Sequence, residues 1–159
     1  MKQRNSPPTA IRIRRARPAD LPVLIALYKE LHRDDDSYRS PSLKEMRGAF
    51  AAIARNRDHQ LLVAHRGGNV IGALHLMIFR HLGHSLRPAA TLEKVVVKEA
   101  HRSRGVGELM MAAAEQIARR NRCYKMSLTT NLKRHRARRF YERLGWRRTH
   151  FGYSIELTP

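Results

Sequence analysis

The chain has 159 residues, with 32 Lys and Arg against 13 Asp and Glu, a formal net charge of +19. That length suits one domain of ordinary size, which buries about 70% of its unfolded surface and needs no covalent staple. A lone cysteine, Cys123, excludes an intrachain disulfide and fits a reducing cytoplasm, no apolar run approaches the roughly 18 residues of a membrane span, and the opening MKQRNSPPTA lacks the apolar core of a secretory signal.

Residues 1–10 read as a flexible basic tail, polar and with two prolines, ahead of a domain over 11–159. Ile11 to Arg14 alternates apolar and polar and predicts a short strand. Asp20 is placed to cap a helix whose apolar side is Leu24, Leu27, Tyr28 and Leu31, with Pro22 tolerated in its first turn. A polar loop, 32–40, carries Asp34, Asp35 and Asp36. Adjacent loop carboxylates are ordinarily solvated, and no metal site is assigned to them. Ser42 with Glu45 three residues later is a capping box for a second helix through Ile53.

Gln60–Ala64 predicts a strand, Gly67-Gly68-Asn69 a hairpin turn, and Val70–Phe79 a long central strand. His81–Pro88 is a loop, and His75, His81 and His84 fall nearby at no spacing that signals a metal. Ala90–Val97 predicts another strand. A helix over Gly105–Asn121 follows, then a strand over Cys123–Thr129 and a short helix over Arg136–Leu144. Gly145 suits the position just past that helix, and Trp146–Leu157 holds one or two final strands. The order predicts an α/β fold, one domain, with a mixed and mostly antiparallel sheet flanked by about four helices.

The stretch Leu92–Gly107, LEKVVVKEAHRSRGVG, organises the chain. It passes from β-branched valines through a polar turn into Arg104-Gly105-Val106-Gly107 and an amphipathic helix. A glycine-bearing turn before a helix start presents unpaired N–H groups at the positive end of the helix dipole. Glycine lets the backbone approach a phosphate closely. Arg102-x-x-Gly105-x-Gly107 after this strand resembles the acyl-CoA pyrophosphate loop of the GCN5-related N-acetyltransferases (GNAT). Downstream, Ala137-x-x-Phe140-Tyr141-Glu142-x-x-Gly145-Trp146 is similar to a second segment of that superfamily. The resemblance covers about residues 11–157. The stretch Thr129 to Tyr141, TTNLKRHRARRFY, further resembles the aminoalkylphosphonate N-acetyltransferase-like enzymes.

The resemblance implies an acetyl-CoA-dependent N-acetyltransferase acting on a small primary amine, anionic or phosphonate-like. Its two central strands are splayed so that the pantetheine arm adds to the strand edge. It implies main-chain contacts to acetyl-CoA from Val95, Val96 and Val97. The cradle for the pyrophosphate is Arg102, Ser103, Arg104, Gly105, Val106 and Gly107, with Asn131 and Arg139 as outlying contacts. Tyr141 is the expected general acid for the departing thiolate, and Glu93 the expected base for the amine. Cys123 reads as a core residue, so attack is expected to be direct, within a ternary complex.

Residues 119–148 hold twelve Lys or Arg and one acid, Glu142. Such a field attracts polyanions. An acetyltransferase of a protein or nucleic-acid-associated partner, or a non-catalytic basic nucleic-acid-binding protein, is therefore the alternative. Low aromatic content and the lack of a recognisable binding motif speak against the latter. A homodimer is compatible with either reading, and a membrane partner with neither.

Overall fold

The computed structural model describes residues 10–155 and 157. The expected tail lies almost wholly outside them. Five strands and four helices follow in the order β1 (Arg12–Arg15), α1 (Leu21–Leu31), α2 (Leu43–Arg55), β2 (His59–Arg66), β3 (Asn69–Phe79), β4 (Ala89–Val97), α3 (Val106–Arg120), β5 (Met126–Leu128) and α4 (His135–Arg143). The strands form one sheet in chain order, β1-β2-β3-β4-β5. β1 to β4 are antiparallel neighbours. Where the chain enters β4 and β5, the Tyr124 N–H donates to the Pro88 carbonyl (2.9 Å) and the Ala90 N–H to that of Lys125 (3.0 Å). These bonds climb in the same direction on both segments, so β5 enters parallel to β4 and the sheet is mixed.

By its contacts the chain divides into two units, Met1–Ser127 and Leu128–Pro159. In the first, local chemistry explains each element. Gly67 and Gly68 both have positive φ (55° and 86°) and close the β2–β3 hairpin in two residues. Ser42 accepts from the Glu45 N–H while Glu45 accepts from the Ser42 N–H, the reciprocal cap that starts α2. Asp20 caps differently from the expectation. Its carboxylate accepts from the Arg17 N–H and from both Arg14 guanidinium nitrogens, at 2.6 and 2.9 Å, and it is buried.

Alternation along the strands divides the core into two faces. Val63, Ala73 and Val96 meet Leu21, Leu24 and Leu27 of α1, with Phe50 and Met46 of α2 packed alongside. Gly72, on the opposite face, lies against Met110 of α3. Val106, Met110, Met111, Ala114 and Ala118 are the buried stripe of α3.

The second unit is built around α4. Its cap is Gly145, at φ 83°, whose N–H donates to the Glu142 carbonyl (3.0 Å). Tyr141 packs its ring edge-on to Phe140 (5.3 Å) and near Trp146 (6.1 Å). The strands expected over Trp146–Leu157 are absent from the described residues, which are irregular there. The apolar alternation that predicted them is present in Phe151, Tyr153, Ile155 and Leu157, but all four are exposed. Alternation supplies a face for burial; a strand also needs a neighbour for its N–H and C=O groups.

Candidate active site

The polar stretch after β4 forms a concave run of backbone. Ser103 (φ 57°) and Gly105 (φ 77°) both adopt left-handed conformations ahead of α3. Gly105 occupies the cap position of α3, and no side chain caps the helix there. Left-handed residues in close succession turn neighbouring N–H groups inward as an anion nest. A helix of 15 residues then adds the positive end of its dipole. A Cβ at Gly105 would meet nothing within 4 Å, so glycine is required there by φ and not by crowding. Val106 is buried and anchors the turn, while Arg102, Ser103 and Arg104 are exposed. The residues present fit a diphosphate.

Arg102 is held from two sides. Its Nε donates to the Val97 carbonyl (3.0 Å), and a terminal nitrogen bonds the Glu30 carboxylate on α1. Arg33, one turn on, pairs with Glu99 (2.8 Å). These two ion pairs clasp the end of α1 to the segment 97–102. The clasp borders a cavity of about 550 Å³ lined in part by Glu30, His32, Arg33, Asp35 and Tyr38. His32 and Tyr38 stack across it, ring centres 4.4 Å apart.

β4 carries a bulge that the sequence did not announce. Ala73 pairs with Val96 and His75 with Glu93, so three residues of β4 span two of β3. Lys94 takes up the extra residue with φ 53°. Beyond it, the Lys98 N–H donates to the Ile71 carbonyl of β3 (2.9 Å). Antiparallel alternation then turns the N–H and C=O of Val95 and Val97 away from β3. Val96 differs from both. It is registered with Ala73 and its side chain lies in the α1 core. Of the three valines named from sequence, Val95 and Val97 are the pair whose main chain faces outward.

Glu93 and His75 sit opposite each other on the α1 face of the sheet. The helices cover that face only in part. Along β3, Ala73 is buried, His75 and Met77 are half-buried and Phe79 is exposed, whereas Leu74, Leu76 and Ile78 on the other face are all buried. The uncovered floor therefore carries His59, His75, Met77, Phe79, Thr91 and Glu93. His59 Nδ1 lies 3.1 Å from His75 Nε2. Burial, and secondarily the charge of His59, hold His75 below the ordinary histidine value. From sequence, His75 is one of several histidines near a loop, at no spacing that signals a metal. The signal available was its place in the middle of an otherwise apolar strand.

In the second unit the remaining expected residues are placed as follows. Asn131 turns the chain into α4: its side-chain oxygen accepts from the Lys133 N–H and its carbonyl from the Arg134 N–H, both at 2.9 Å. Arg139 is exposed on α4, and Tyr141 is half-buried near the end of that helix. Cys123 is partly buried, and desolvation pushes its thiol up, the wrong direction for a nucleophile. Among the described residues no group of three or more His, Cys, Asp or Glu is placed to hold a metal ion. No described helix is long and apolar enough to cross a membrane.

Residues 24–146 match the Acetyltransferase (GNAT) family. The chain belongs to that family. It is an N-acetyltransferase, of a family that uses acetyl-CoA as co-substrate. It is 29% identical over 157 residues to the aminoalkylphosphonate N-acetyltransferase of Salmonella typhimurium, covering 99% of this chain and 98% of the relative. It is 32% identical over 80 residues to the glucosamine 6-phosphate N-acetyltransferase of Trypanosoma brucei brucei, covering 50% of this chain and 52% of the relative. Among solved structures, a transcriptional regulator from Bacillus halodurans superposes with a TM-score of 0.86 at 29% identity, covering 93% of this chain and all (100%) of that one.

Proposed function

We propose that this acetyltransferase moves acetyl from acetyl-CoA to the primary amine of a small molecule bearing a phosphonate or phosphate, by direct attack within a ternary complex. The observation that carries the reading is the pair of features on either side of Val97: an outward-facing strand edge at Val95 and Val97, and an uncapped helix start behind two left-handed residues. An edge strand can bond an amide-bearing arm as a further strand would. The nest and the α3 dipole suit a diphosphate. Two relatives named for amines with a phosphonate or phosphate group support the anionic acceptor, as does a net charge of +19.

In this reading an N–H on β4 polarises the thioester carbonyl as the amine attacks. The C–N bond forms and the C–S bond breaks. Tyr141 supplies the proton that the departing thiolate takes up, and Glu93, the base expected from the sequence, draws the incoming ammonium to the open sheet face where its proton leaves. Asn131 and Arg139 are outlying contacts to the carrier. The raised Cys123 thiol favours direct transfer over an acetyl-enzyme.

Thiol release, followed with acetyl-CoA and a panel of amines, tests the proposal. The expected result is turnover of aminoalkylphosphonates or amino-sugar phosphates in preference to their uncharged counterparts, with Tyr141→Phe lowering kcat roughly 10²-fold. Acetyl-CoA binding with no thiol released by any amine would overturn it.

A further inference from the structure

The acceptor amine is an ammonium near neutral pH, and it must lose a proton before it can attack. Two protons leave the nitrogen over the whole reaction; one ends on sulfur and one in solvent. The uncovered floor of the sheet offers a route for the second. Glu93 and His75 are direct cross-strand partners on that floor, which places their Cβ atoms about 5 Å apart. His75 in turn contacts His59 on β2, nitrogen to nitrogen at 3.1 Å, with the rings tilted 54° and their centres 5.0 Å apart. The three side chains thus cross three adjacent strands in a row, from β4 to β2. Both histidines are only half-buried, so the row is open to small molecules and water.

We propose that His75 and His59 form a proton relay for the acceptor, His75 taking the ammonium proton beside Glu93 and His59 passing one on to water. In the resting state His75 donates its Nε2 proton to His59 Nδ1, which leaves the His75 Nδ1 lone pair free as the base. When Nδ1 takes the acceptor's proton, the Nε2 proton crosses to His59, and His59 releases its own Nε2 proton to solvent. No net charge stays on the floor and no further reactant is needed. Glu93 keeps the ammonium near and offsets the transient imidazolium. The other ionisable side chain packed against this sheet face from α1 is Tyr28, whose burial pushes it up to about 12 and keeps it neutral. From α2 the side chains packed on the same core are the apolar Leu43, Met46 and Phe50, and the titratable groups beside His75 are His59 from β2 and its cross-strand partner Glu93 from β4. Desolvation lowers the His75 value and so favours the neutral imidazole that the relay starts from.

The inference rests on the acetyltransferase reading, and its test separates the two. Thiol release by the unaltered chain tests the reading itself. His75→Gln and His59→Gln then test the relay, each profiled from pH 6 to 10. Each is expected to lower kcat at neutral pH, His75→Gln by roughly 10²-fold. The deficit should shrink toward high pH, where the amine arrives already neutral, and the KM for acetyl-CoA should stay unchanged. A deficit of equal size at every pH, or none, overturns the relay. Titration of the two imidazoles by NMR in the intact chain needs no turnover. His75 is expected to titrate below about 6.5 and to rise when His59 is replaced by Gln. Two rings that titrate independently of each other overturn the proposal, whatever the chain acetylates.

Discussion

The proposed pyrophosphate cradle would give the Arg102 guanidinium a second role beside its clasp, and the exposure of the pair says which should dominate. Arg102 bonds the Val97 carbonyl and the Glu30 carboxylate, with side chains 45% and 18% exposed. A pair this open contributes at most about 1 kcal/mol to folding once solvent screening is allowed for. For a chain of this size that corresponds to a Tm change of roughly 2–4 °C. A hydrogen bond to a charged group in a bound ligand is worth more, about 1.5–3 kcal/mol, or about 10- to 150-fold in affinity. Arg102→Gln should therefore weaken acetyl-CoA binding by a factor in that range and leave the Tm within a few degrees. Glu30→Gln removes the competitor for the same guanidinium, so acetyl-CoA should bind as well or a few-fold tighter. Calorimetric titration with acetyl-CoA and thermal unfolding of both variants decide the matter. A large fall in Tm for Arg102→Gln with unchanged affinity would refute the reasoning and make Arg102 a structural strut between α1 and β4.

Two further outcomes follow from packing and charge. Gly72→Ala places a Cβ 2.9 Å from Met110 Sδ and 3.0 Å from the Val96 carbonyl; the thioether can move but the strand carbonyl cannot, so a loss of about 1–3 kcal/mol is expected in urea unfolding, and Met110→Ala should restore only part of it. Asp20 is held below the usual carboxylate value chiefly by its hydrogen bond from Arg14, so its contribution is full above the unfolded-state value near 3.9 and is lost as pH falls through the folded one. Asp20→Asn should cost about 1–3 kcal/mol at pH 7, and the gap from the unaltered chain should close below about pH 4; a gap independent of pH would show that Asp20 acts by shape alone.

Period and punctuation made most of the elements legible. The four helices and first five strands lie where apolar spacing, the Ser42 cap and the Gly67-Gly68 turn place them, with ends shifted by a few residues. The turn at Gly105 and the start of α3 behind it are legible because glycine and a helix start are local signals. What escaped the sequence depends on register. Nothing in LEKVVV shows that Lys94 is the residue of a bulge, yet that one insertion decides which face Glu93 occupies. Without it, the side chain of Glu93 would fall on the opposite face from Ala73 and His75. The bulge thus brings a carboxylate onto the open floor with His75 while the register of Val96 with Ala73 is kept. His59 and His75 lie 16 positions apart, and Arg102 and Glu30 lie 72 apart. Such meetings follow from strand pairing and helix placement, which no local window contains. The failed strand at the chain's end makes the same point from the other side. Its alternation is as clear as that of β1, but β1 has β2 beside it, and the described residues after Trp146 form no ladder. A pleat pattern predicts which face a strand would bury, and only a partner makes it a strand.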